Sequence, residues 1–281
     1  MLKNSIFLTF GDGTKGWCDA RKRIAREAIS SEAFEYVFAL SDKWLKNWRM
    51  DTYKFILDIE NSFGKRGHGY WAWKPAVLVW ADVMFPNHQI IYVDAGSHLN
   101  IESSTFMYKL EKWAELSKNQ GGLAWQLTNN AEKFWTKMEL VKFLKPESRA
   151  LESGQVQSGF MMLPPSKKRS ILLHDWLNIS LSNNGLMIND ELQINQIPGF
   201  IEHRHDQSIF SLLWKKYEFP LITDESDPIL NWQSPIIATR NNTGLPWGLT
   251  PIWMMNITSR INMIFDVFNK LFSKLKYRYL G

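Results

Sequence analysis

The chain has 281 residues, 45% of them hydrophobic and 22% charged, the composition of a globular protein long enough to bury a large core. Its one cysteine, Cys18, excludes an internal disulfide framework and a cysteine-rich zinc site, and a reducing, cytoplasmic setting fits best. The formal net charge of +5 suits an anionic ligand or membrane surface, but the basic residues are spread along the chain, so nucleic acid is not expected as a partner.

Residues 5–10 form an apolar, β-rich run that stops at Gly11-Asp12-Gly13, and residues 19–28 read as a charged helix behind that turn. The run before Gly11 is too short for a signal-peptide core or a spanning helix, and no later segment reaches bilayer length, so a soluble or peripheral protein is expected. Residues 34–39 read as a second strand, 54–61 as a helical connection, 76–84 as a buried helix behind a proline, and 88–93 as a short buried strand. This alternation predicts an α/β fold with a mostly parallel central sheet flanked by helices. It also sets Asp94 at the carboxyl end of a strand, where ligands of open α/β sheets bind. Further on, residues 103–118, 131–144, 168–181 and 205–216 read as helices, and 121–127 and 158–163 as strands.

The expected catalytic body is residues 1–250, followed by a tail over 251–281. In that tail Ile257, Ile261, Ile264, Phe268, Leu271 and Leu275 recur at helical spacing among Arg260, Lys270 and Lys274. The pattern predicts a basic amphipathic C-terminal helix that either docks on protein or lies on an anionic membrane surface.

Three stretches carry chemistry. RGHGYWAWKP, residues 66–75, sets the cations Arg66 and Lys74 beside Tyr70, Trp71 and Trp73, with Gly67 and Gly69 allowing a tight backbone path. The cations suit phosphate and the rings suit a base or sugar face; the same residues also suit a structural turn capped by core aromatics. Strand-like alternation would put Trp71 and Trp73 on one face and Lys74 on the other. In the second stretch, Asp94-Ala95-Gly96 supplies a carboxylate and close backbone approach, although such a triplet also occurs in ordinary turns. The third gathers His203, His205, Asp206 and Gln207 at one helix start, as metal ligands, acceptor-hydroxyl contacts or a base, or with Asp206 as a plain N-cap.

In order, YVDAG, SGFMML and HDQSIF resemble the nucleotide-sugar glycosyltransferases of the GT-A fold, and RGHGYWAWKP followed by YVDAG resembles bacterial members from capsule and lipopolysaccharide biosynthesis. The resemblance spans roughly residues 6–213 and implies a Rossmann-like donor half, about 1–100, and an acceptor half, about 101–250. By that likeness Phe10 and Gly11 lie near base and ribose, Arg66 and Lys74 near the diphosphate, and Asp94 with Ala95 and Gly96 at the metal or donor ribose. Tyr70 and Trp73 then cover the donor. Ser158, Gly159, Asp206 and Gln207 line the sugar and acceptor side, with Asp206 and Gln207 as the catalytic pair.

The implied cofactor is Mn2+ or Mg2+, held by Asp94 with His203 or His205, and the implied donor is a nucleotide sugar, a UDP-sugar being favoured. The implied acceptor is a glycan or lipid-linked glycan at the inner face of the cytoplasmic membrane. One departure stands out: Gly96 replaces the second aspartate of the family's Asp-x-Asp, so a metal ligand is missing or comes from elsewhere, and Arg66 with Lys74 would then carry the leaving-group charge. A catalytically inactive carbohydrate-binding protein on the same fold is the alternative. A nucleotidyltransferase is disfavoured because no basic Gly-rich phosphate loop is present near the N-terminus.

Overall fold

A computed structural model describes residues 2–227, 231 and 233–245; the expected amphipathic tail lies outside them. In chain order the first half runs β1 (Leu2–Phe10), α1 (Lys15–Ser30), β2 (Phe34–Leu40), α2 (Asp42–Trp48), α3 (Met50–Phe63), the single turn α4 (Gly67–Tyr70), α5 (Trp73–Met84), β3 (Gln89–Val93) and β4 (His98–Leu99). The second half adds α6 (Phe106–Gln120), β5 (Ala124–Ala131), α7 (Glu132–Trp135), α8 (Met138–Leu144), α9 (Ser148–Glu152), β6 (Gly154–Val156), β7 (Phe160–Leu163), α10 (Lys167–Leu181), α11 (His205–Lys216), β8 (Leu221–Thr223) and β9 (Ile236–Ile237). Among the described residues no helix is long and apolar enough to cross a membrane.

The central sheet has the order β2-β1-β3-β7, with β1 parallel to both β2 and β3 and β7 antiparallel at the far edge. Strand parity decides which side chains meet which helices. Ile6, Leu8, Ile90, Tyr92, Met161 and Leu163 join one core with residues of α3, α5, α10 and α11, whereas Phe7, Ile91, Val93, Phe160 and Met162 join another with residues of α1 and α6. The result is an α/β fold with helices on both faces of a mostly parallel sheet. The chain passes from β1 through α1, on one face, to β2, and from β2 through α5, on the other face, to β3 on the far side of β1. The crevice between the carboxyl ends of β1 and β3 is therefore a topological switch point.

A three-stranded sheet, β6-β5-β8, is linked to the central one by the backbone pair Leu123 and Met162. Residues 131–144 differ from the single helix expected from the sequence. The strand β5 runs to Ala131, and the helix breaks at Thr136 and Lys137, both extended. Long-range bonds hold the break, since buried Lys137 donates to the carbonyls of Asn189 (2.8 Å) and Glu191 (3.1 Å), while locally the Thr136 hydroxyl donates to buried Glu132 four residues back (2.6 Å).

The RGHGYWAWKP stretch is neither a strand nor an ordinary turn. Gly67, His68, Gly69, Tyr70 and Trp71 all have positive φ, between 52° and 71°. The amides of Tyr70 and Trp71 donate to the carbonyls of Arg66 (2.9 Å) and Gly67 (3.0 Å), four residues back, so this is one turn of left-handed helix. Left-handed backbone costs roughly 1–2 kcal/mol per non-glycine residue, a cost here carried by His68, Tyr70 and Trp71. Tertiary contacts offset it. The His68 ring sits between Asp42 (2.7 Å) and Glu60 (2.8 Å), the Tyr70 hydroxyl donates to Phe63 (3.3 Å), and the Trp73 indole donates to the Gly67 carbonyl (3.4 Å). The expected strand-like alternation of Trp71 and Trp73 does not apply: Trp71 ends the left-handed turn and Trp73 begins a right-handed helix.

Candidate active site

Asp94 continues the parity of Ile90 and Tyr92, so it faces the side of the sheet on which α5 and α11 pack. From α5, Lys74 extends its ammonium to the same place. From the start of α11 comes Asp206, and from the loop before β7 come Ser158 and Gly159. Lys74 Nζ lies 3.1 Å from Asp94 Oδ1 and 3.0 Å from Asp206 Oδ2, and it donates to Ser158 Oγ (3.1 Å) and the Ser158 carbonyl (3.3 Å). Ser158 Oγ donates in turn to Asp206 Oδ2 (2.9 Å), and the Tyr92 hydroxyl donates to Asp94 Oδ1 (2.5 Å). One ammonium thus bridges two carboxylates from two separate motifs.

Burial disfavours the Lys74 ammonium, but Asp206 and Asp94 outweigh it and hold its pKa above the usual lysine value. Burial also pushes the Asp206 carboxyl up, with Lys74 pulling against it. The Tyr92 phenol is driven well up by burial and by Asp94, which keeps it a donor. Asp94 is the open member of the group, its side chain 35% exposed against 6% for Asp206. Beside it, a Cβ on Gly159 would stand 3.4 Å from Asp94 Oδ2 and 3.6 Å from Gln157 Oε1.

Small, buried residues pack closely where β1 and β3 end. A Cβ on Gly11 would stand 3.2 Å from that of Ala95, and one on Gly96 would meet Trp17 at 3.3 Å and the Arg240 backbone at 3.4 Å. Buried Arg23 fixes the Asp94–Ser97 loop by donating to the carbonyls of Ala95 (2.9 Å) and Ser97 (2.8 Å), and it reaches the carbonyl of Thr243 (3.2 Å). Residues 233–245 complete the rim: β9 pairs with β4, while Thr239 Oγ1 (2.8 Å) and the Asn241 amide (2.9 Å) both donate to the Gly96 carbonyl. Gln207 is held at both ends of its amide, accepting from the Ser158 amide (3.5 Å) and donating to Gln155 (2.7 Å).

The remaining expected site residues lie elsewhere or are otherwise engaged. Phe10 and Trp73 are buried and stack on each other (4.2 Å between centroids), so neither offers a free face. Arg66 is ion-paired with Asp190 (3.3 Å) and Glu202 (3.3 Å), so it holds two carboxylates where a phosphate was expected. Tyr70 and Trp71 pack on the His205 ring (4.8 and 5.5 Å), which docks the left-handed turn onto the start of α11. Asp206 is not an N-cap: that position belongs to Arg204.

The expected metal ligands do not form a set. His203 accepts from the Lys137 amide (3.4 Å) and donates to the Met187 carbonyl (3.0 Å), and burial holds its pKa well below normal. His205 is held by the Ile188 carbonyl (2.8 Å), with its pKa lowered to about 4, mainly by burial. Among the described residues no group of three or more His, Cys, Asp and Glu could hold a metal ion. The place between Asp94 and Asp206 belongs to the Lys74 ammonium.

Tyr92, Arg23 and Gln155 belong to the site without having been singled out in the sequence. Only Tyr92 left a signal there, since it lies two residues before Asp94 on the same face of β3.

No protein-family model matches the chain, and no curated protein matches it. Among solved structures it is similar to mouse xyloside xylosyltransferase 1 in its apo form, at 13% identity over 79% of this chain and 84% of that one, with a TM-score of 0.39. It is also similar to a glycosyltransferase involved in glycosylating the major capsid of PBCV-1, at 15% identity over 80% of this chain and 82% of that one, with a TM-score of 0.41.

Proposed function

We propose that the chain transfers a sugar from a nucleotide-sugar donor to a hydroxyl of a surface-polysaccharide or lipid-linked glycan, with the donor in the crevice between β1 and β3. The observation that carries this reading is the ammonium-bridged pair of carboxylates at the carboxyl end of β3, open to solvent on the Asp94 and Gly159 side. Transfer needs a polar group to orient a donor hydroxyl beside a small-residue floor on which the nucleotide can lie. It also needs a fixed positive charge near the bond that breaks, because negative charge builds on the departing diphosphate. Asp94 supplies the first, Gly11 with Ala95 and Gly96 the second, and Lys74 the third. Asp206, Ser158 and Tyr92 hold Asp94 and Lys74 in place, and Gln207 ties α11 to the Ser158 loop.

An Asp94→Asn variant should fold, because the side chain is partly exposed and the Tyr92 hydroxyl still finds an oxygen. Its donor hydrolysis and transfer should fall by roughly 10²-fold or more, read as nucleotide release from UDP-, GDP- and CMP-sugars. Glycan binding by the parent protein with no turnover of any donor would instead support the carbohydrate-binding alternative.

Lys74 stands where a bridging cation would stand, so we propose that turnover does not depend on a divalent metal. Activity in excess chelator should match activity in Mn2+; a loss in chelator that Mn2+ restores would overturn this.

A further inference from the structure

Arg240 is anchored over the crevice by its neighbours, since Thr239 and Asn241 both bond the Gly96 carbonyl. Its backbone is left-handed (φ 52°), and its side chain is exposed with no partner among the described residues. Arg204 lies two residues before Asp206, whose carboxylate meets Lys74 beside Asp94. Its guanidinium lies 3.9 Å above the Trp135 ring, and its ion pair with Glu202 is a loose one, Nε to carboxylate at 3.8 Å. Burial first, and the charge of Arg240 second, lower the Arg204 pKa to about 10, so the two guanidiniums feel each other.

Two neighbouring like charges raise the energy of the empty site, and an anion between them lowers it. Guanidinium forks match phosphate oxygens, and two forks match two linked phosphoryl groups better than one. Around the crevice Asp94 and Asp206 are offset only in part by Lys74, so an anionic ligand needs these further cations to enter.

We propose that Arg204, from just before α11, and Arg240, from the segment anchored on Gly96, form a diphosphate-binding site that takes the phosphates of the bound nucleotide. This rests on the glycosyl-transfer reading of the adjoining carboxylates, but inorganic pyrophosphate probes it independently.

The experiment is calorimetric titration of the full chain with pyrophosphate and with inorganic phosphate at fixed ionic strength, for the parent, Arg240→Ala and Arg204→Lys. The parent should bind pyrophosphate more tightly than phosphate. Arg240→Ala should weaken pyrophosphate binding about tenfold or more, and Arg204→Lys, which keeps the charge but loses the fork, should weaken it several-fold. No pyrophosphate binding by the parent, or equal binding by Arg240→Ala, overturns the proposal. Arg240 is exposed, so that variant decides the matter even where Arg204→Lys fails to fold. Arg240-dependent pyrophosphate binding without turnover of any nucleotide sugar would leave this site standing and remove the glycosyl-transfer reading. Turnover with an unchanged donor KM in Arg240→Ala would do the reverse.

Discussion

A Lys74→Met variant is expected to be about 3–5 kcal/mol less stable than the parent and to lose sugar transfer by at least ~10²-fold. Methionine keeps the stem but leaves Asp206, 4% exposed, and Asp94 facing each other without the cation that bridges them. Adding Asp206→Asn removes the buried charge that Lys74 answered, so the double variant should regain much of the stability and none of the activity. Chemical denaturation separates these outcomes, and a single variant as stable as the parent would show that the bridge contributes nothing to the fold.

The loss should also depend on pH. Burial holds the Asp206 pKa above its ordinary value while Lys74 pulls it down. A carboxyl raised in this way favours folding below the unfolded value, about 3.9, and that advantage is lost as pH rises through the folded value. Without Lys74 the folded value climbs further, so the variant's deficit should widen as pH rises above the unfolded carboxyl value. The Lys74 pKa is itself raised, so the parent keeps that contribution in full below the unfolded lysine value of about 10.4 and loses it only as pH climbs through the higher folded value.

Alanine at Gly67 or Gly69 should cost roughly 2–5 kcal/mol, combining left-handed backbone strain with overpacking. A Cβ on Gly67 would lie 2.3 Å from the Trp71 ring, and one on Gly69 would meet Ile56 at 2.8 Å, with the Ile56 Cα at 3.1 Å. Relief at Gly67 requires moving Trp71 off His205, and relief at Gly69 requires moving α3. Either shift disturbs the segment that aims Lys74, so transfer should fall along with stability. Gly121 is the control: it is also left-handed (φ 82°), but a Cβ there meets nothing within 4 Å, and alanine should cost only about 1 kcal/mol. Equal melting-temperature losses at the three positions would show that the backbone alone, and not the packing of Trp71 and Ile56, sets the cost.

Strand parity made much of the central sheet legible in the sequence. The run into Asp94 ends at the carboxyl edge of β3, and α11 spans His205–Lys216 as its apolar spacing indicates. The meeting of Lys74, Asp94, Ser158 and Asp206 draws on the same short motifs that carry the family resemblance. Arg66 and Lys74 are eight residues apart and look alike in sequence, yet one pairs with Asp190 and Glu202 and the other with Asp94 and Asp206. Only the hand of the intervening turn separates them. That hand depends on Trp71 packing over Gly67 and against His205, a contact 134 positions along the chain that no local propensity encodes. The break at Lys137 has the same origin, since its partners Asn189 and Glu191 lie more than fifty residues away.

The clasp of residues 233–245 over the Asp94 loop fixes when the crevice can exist. Arg23 bonds Thr243 across 220 positions and Thr239 bonds Gly96 across 143, so the loop after β3 receives its last anchors from almost the final residues described. During synthesis the central strands can pair while this rim is still unmade, and closure of such distant contacts is slow because the loop entropy falls due before any contact forms. The nascent chain therefore passes through a stage with a formed sheet and an unclasped crevice, and closure of this rim follows pairing of the central strands.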